Sequence, residues 1–83
     1  MYKVSIGIDC APGTPRPDSY VDESDGLTRE SAFFGAWTFI KTVETEEEGN
    51  RLLDKYHTIC ELQYAMRNIR GAVFDIEGVK GEK

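Results

Sequence analysis

No stretch of this chain holds seven consecutive apolar residues. No membrane-spanning helix is therefore expected, since one needs about 20, and no signal peptide is expected behind Met1. Cysteine is scarce as well. Cys10 and Cys60 are the two, and without an export signal they are expected as free thiols in a reducing cytoplasm. The single histidine, His57, rules out the paired motifs that a zinc site shows. His57 and Cys60 stand three apart, with Cys10 alone to add, so Cys60 is expected in the core and His57 at its edge. No metal and no cofactor is expected. Basic residues are outnumbered, 10 Lys and Arg against 15 Asp and Glu, and a formal charge of −5 argues against direct nucleic-acid binding. Proline occurs only at positions 12, 15 and 17, which leaves the rest of the chain free to form regular structure.

The longest regular element expected is a helix over about 46–70. Thr45-Glu46-Glu47-Glu48 has the spacing of a capping box, and three glutamates suit the positive end of the helix dipole. Arg67 and Arg70 suit the other end, and Gly71 is the expected left-handed stop. Such a helix spans about 25 residues, roughly 38 Å. Leu52, Tyr56, Ile59, Leu62, Met66 and Ile69 form one stripe, and Leu53, Cys60 and Tyr64 widen it beyond what one layer covers. The excess is expected to meet the long loop, a second copy or a partner. A strand over about 2–9 follows from the alternation of Tyr2, Val4, Ile6 and Ile8 with polar residues. Strands over about 36–43 and 72–79 follow from the same period, with Trp37 in the core and Gly35 as a bulge.

Residues 10–31 read as a long connection, with one helical turn capped by Thr28. The tail from Lys80 to Lys83 is expected to fray. The expected fold is therefore a single α+β domain over 1–83. It is a small three-stranded sheet (β-loop-β-α-β) packed against one long α-helix, the strands flanking the helix being parallel.

The stretch Cys10-Ala11-Pro12-Gly13-Thr14-Pro15-Arg16 resembles the phosphate-binding loop of cysteine-dependent protein tyrosine phosphatases. The resemblance implies an anion site of Cys10, Gly13 and Arg16, with Cys10 as thiolate nucleophile and Arg16 clamping the phosphate. The chain departs from that family in several places. Asp9 stands where the family has histidine, Pro12 and Pro15 remove amides, and Pro17 replaces the usual Ser or Thr. Asp22, Glu23 and Asp25 approach a calcium loop, but Phe33 occupies the position where such a loop needs glutamate.

Charge is uneven: residues 1–50 hold ten acids and four bases, residues 51–83 five and six. The function expected is a non-catalytic protein-binding module. By size and charge it is analogous to small acidic phage-type inhibitors that occlude a host enzyme or a defence nuclease. Asp18, Tyr20, Asp22, Glu23, Asp25, Phe33 and Phe34 are the expected partner-binding residues, facing a basic surface. Leu53, Cys60 and Tyr64 are the expected helix face for a homodimer or heterocomplex. The alternative is a small protein that binds or sequesters a nucleotide or phosphate, or a phosphatase-like enzyme, built on the Cys10 loop. On the non-catalytic reading Cys10 is an accessible thiol and Cys60 a protected one.

Overall fold

The computed structural model describes residues 1–33 and 35–79, with the backbone alone for 31–33. Phe34, the Phe33 side chain and the tail from Lys80 to Lys83 lie outside the described residues. The elements are β1 (Tyr2–Cys10), β2 (Thr28–Phe33), β3 (Ala36–Val43), α1 (Glu46–Ala65) and β4 (Ile69–Gly78). The strands form one sheet in the order β2-β3-β1-β4, each neighbouring pair antiparallel. The class is α+β, one helix on a small sheet, but the sheet has four strands where three were expected. The additional strand is β2, where the sequence suggested a helical turn at Thr28. It pairs with β3 across a tight connection in which Gly35 has φ +87°, a conformation open to glycine. Gly35 is thus a turn residue, and the register shift falls within β2 between Arg29 and Ser31.

β3 and β4 run parallel to each other, as a strand–helix–strand unit requires, yet they do not touch. β1 lies between them, antiparallel to both. Its alternation decides which face is buried: Val4, Ile6 and Ile8 are almost wholly inaccessible. Register then brings Trp37 and Ala72 beside Ile8, Phe39 and Phe74 beside Ile6, and Ile76 beside Val4. α1 packs mainly on β4 and β1. Pro17, Tyr20, Val21 and Leu27 from the connection fill in the rest of the core, and Trp37 stacks on Phe39 with 6.1 Å between ring centroids.

Both ends of α1 have definite causes. At the start Thr45 Oγ1 accepts from the Glu48 amide (3.1 Å), and the Glu48 carboxylate accepts from the amide of Glu44 at 3.3 Å. At the finish the helix stops at Ala65, five residues before the expected end. Arg67 takes the left-handed conformation (φ 65°), its amide donates to Tyr64 O, and Asn68 N–H donates to Gln63 O. This is the hydrogen-bond pattern of a Schellman stop, with arginine in the place glycine usually takes. Gly71 lies inside β4 instead, opposite Asp9.

The buried line of the helix is Gly49, Tyr56 and Cys60; Leu52 and Ile59 of the expected stripe also pack against the core, but the stripe does not continue through Leu62. Leu62 and Met66 are 59 % and 57 % exposed. Gly49 selects this face. A Cβ there would collide with the Ile76 side chain and stand 3.1 Å from Val4 Cγ2 and 3.3 Å from Val43 Cγ2. The helix therefore rests directly on the sheet at the one residue that carries no side chain.

Candidate protein-binding surface

The acidic segment of the connection is held to the helix. Residues Glu23–Asp25 form a short 3-10 turn, capped by the Asp22 carboxylate accepting from the Ser24 amide at 2.9 Å. Tyr56, buried on α1, donates its hydroxyl to the Asp25 carboxylate (2.5 Å) and accepts the Asp22 amide at 2.8 Å. Lys55 Nζ reaches Asp25 at 2.8 Å and Asp22 at 3.5 Å, and Lys41 Nζ donates to the Asp25 carbonyl at 2.6 Å. Burial alone would raise the Asp25 carboxyl, but hydrogen bonds from Lys55 and Tyr56 outweigh it and hold the group below its ordinary value. The Ser24 backbone and hydroxyl hydrogen bonds likewise lower Asp22. Burial and the Asp25 hydrogen bond push the Tyr56 phenol up to about 12.

Of the expected partner-binding residues, Asp22 and Asp25 are thus occupied within the molecule, while Asp18 and Glu23 are exposed. Tyr20 is half-buried with its hydroxyl turned inward. That hydroxyl makes no hydrogen bond of standard geometry among the described residues, although burial and the neighbouring Cys10 thiol raise its titration. On the helix face Leu53 is half-buried, Cys60 buried and Tyr64 exposed. Tyr64, His57, Cys60 and Glu61 form one wall of a shallow groove, and Ile69, Gly71, Ala72 and Phe74 of β4 form the other.

The anion-loop residues are placed differently from what the resemblance implied. Cys10 is the last residue of β1 and points into the core; burial raises its thiol, with the charge of Asp9 adding to the effect. Its expected accessibility is therefore corrected: both thiols are buried. Cys60 is pushed up to about 11, chiefly by burial. The Cys10 amide donates to Gly35 O (2.8 Å) and the Ala11 amide to Asn68 O (3.0 Å). Pro12 and Pro15 have no amide to offer, so the loop presents few donors to an anion. Gly13 takes φ +75° in a turn that Thr14 ties to the Ala11 and Asn68 carbonyls (2.6 and 2.8 Å), and Arg16 is exposed.

The strongest surface feature comes from topology. Tyr2 lies between Val43 and Gly78, whereas Asp9 lies between Ala36 and Gly71. One end of the molecule therefore collects the exit of β3, the first turn of α1 and the end of β4. Exposed there are Glu44, Glu46, Glu47, Glu48 and Glu77. Glu47 lies 3.7 Å from Arg51, and Lys3 stands opposite Glu77. Glu44, Glu46 and Glu48 form no ion pair among the described residues. The other end carries Arg16, Arg67 and Arg70, the last paired with Asp9 at 3.5 Å. Sequence reasoning placed the partner surface on the connection and missed this convergence, which depends on strand order, as well as the roles of Lys55 and Tyr56, which depend on how the connection lies against α1.

Among the described residues no helix is long and apolar enough to cross a membrane, and no three His, Cys, Asp or Glu residues are grouped to hold a metal. The chain matches no protein-family model, no curated protein and no solved structure.

Proposed function

We propose that this chain is a non-catalytic protein-binding module whose acidic end occupies a basic surface of another protein, in the manner of a phage-type inhibitor that occludes a host enzyme or a defence nuclease. It works in the cytoplasm, where its two buried thiols stay reduced. The observation that supports this reading is the gathering of Glu44, Glu46, Glu47, Glu48 and Glu77 at one end from three separate elements. A field of one sign speeds encounter with a complementary surface more than it lengthens the life of the complex. The ordered acidic turn adds the exposed Glu23.

The test begins with the tagged chain as bait in a bacterial lysate, followed by binding kinetics with any protein captured in stoichiometric amount. Replacing Glu44, Glu46 and Glu47 with glutamine is expected to slow association about tenfold at low salt. Raising ionic strength is expected to shrink that difference, because charges are screened over about 8 Å at physiological salt. Association unaffected by those replacements, or recovery of a bound nucleotide in place of a protein, would overturn the reading.

A further inference from the structure

β4 is an edge of the sheet. Its inner side pairs with β1 along its length, and its outer side has no neighbour among the described residues. An edge of this length is a template for another strand unless its side chains forbid it. The side chains of β4 are arranged to admit one particular strand. The register passes from Asp9–Gly71 to Cys10–Ile69, so Arg70 is the extra residue of a bulge. Its guanidinium lies 3.5 Å from Asp9, which faces away from the helix. Val73, Asp75 and Glu77 share that face, being paired with Gly7, Ser5 and Lys3. Along one face β4 therefore reads positive, then apolar, then negative. Val73 at the centre is 71 % exposed, the largest exposure of any big apolar residue among the described residues.

A strand with that order of charge is complementary to itself when reversed. We infer that β4 pairs antiparallel with β4 of a second copy about a twofold axis at Val73, making one continuous sheet across the two molecules. In that register Val73 faces Val73, Gly71 faces Asp75, and Arg70 of each copy lies between Asp75 and Glu77 of the other. Opposite charges meet at both ends, and like charges meet nowhere along the pair. The axis is perpendicular to the sheet, so both helices stay on one face. The groove wall of His57, Glu61 and Tyr64 then meets its own counterpart, and the exposed Tyr64 ring is covered. Such an interface is isologous and closes after two copies. Of the acidic end it engages Glu77 alone; Glu44, Glu46, Glu47 and Glu48 lie before and within α1, outside the paired strands.

Sedimentation equilibrium of the intact chain, from low micromolar to about 1 mM, tests this. The expected result is a mass rising toward twice the 9.4 kDa chain. Val73→Lys is expected to weaken self-association at least about tenfold, since it sets two lysines face to face. Arg70→Glu is expected to do the same, and Arg70→Glu combined with Glu77→Arg to restore part of the loss, Asp75 remaining unswapped. Circular dichroism confirms that each variant is folded, and Val73 is exposed enough for lysine to leave the monomer intact. A monomer at every concentration overturns the proposal, and so does a dimer indifferent to both single changes. A folded monomer that instead binds a basic extended peptide along β4 overturns the choice of a second copy as occupant.

Discussion

Tyr56 joins α1 to the acidic connection through a single side chain. It is wholly buried, yet its hydroxyl serves two groups on the connection at once. Tyr56→Phe keeps the ring and leaves the Asp22 amide and the Asp25 carboxylate without that partner. A loss of about 2 kcal/mol in urea-induced unfolding is expected, with faster amide exchange at Asp22 than elsewhere. The same contact sets a pH window. A depressed carboxyl such as Asp25 stabilises the fold above its unfolded value, near 4, and that contribution is lost as pH falls through the lower folded value. Cys60 and Tyr56 have raised values, so their contributions hold below about 9 and disappear as pH climbs toward about 11 and about 12 respectively. Thermal melts are therefore expected to be flat near neutrality and to fall on both sides. Tyr56→Phe is expected to flatten the alkaline limb, and an unchanged limb would show that the phenol does not titrate with unfolding.

For α1 the decisive positions are the two where its sequence departs from good helix grammar. Arg67 holds a left-handed conformation that costs a non-glycine residue about 1 kcal/mol. Arg67→Gly is expected to raise stability by roughly that amount in denaturant titrations, less the added freedom of glycine in the unfolded chain. Gly49 works the other way. Alanine would raise helix propensity by about 1 kcal/mol, but its methyl would press on Val4 and Val43, both buried. Gly49→Ala is therefore expected to destabilise by about 1 kcal/mol in spite of its propensity, and a stabilised variant would refute the close-approach account. These two positions also mark how far the sequence could be read. The helix start was legible because capping is local, and β1 was legible because its alternation is strict. The helix end was assigned to Gly71 because glycine is the usual stop, whereas the stop depends on hydrogen bonds that Arg67 and Asn68 make. β2 was not legible because Thr28–Phe33 has little alternation of its own and becomes a strand by pairing with β3.

At the scale of the whole molecule, charge and edges decide what can approach. Residue counts revealed the acidic first half of the chain, but not that the end of β4 would join it. Strand order was required for that. Partner association is accordingly expected to depend on Glu44, Glu46 and Glu47 far more than on Asp22 and Asp25, which are spoken for inside the fold. Neutralising each set in turn and measuring association rates at low salt separates the two. An equal effect from the Asp22 and Asp25 pair, with folding intact, would return the binding surface to the connection. The central place of β1 has a consequence for how the molecule is made. Ile6 pairs with Phe39 on one side and Phe74 on the other, so the ladder of β1 stays incomplete until β4 has been made. At about 5–20 residues per second that wait lasts several seconds, during which Val4, Ile6 and Ile8 gain β3 on one side before β4 can complete the other. Folding therefore waits for β4 and is governed by long-range pairing, which leaves chaperones an interval in which to act before it.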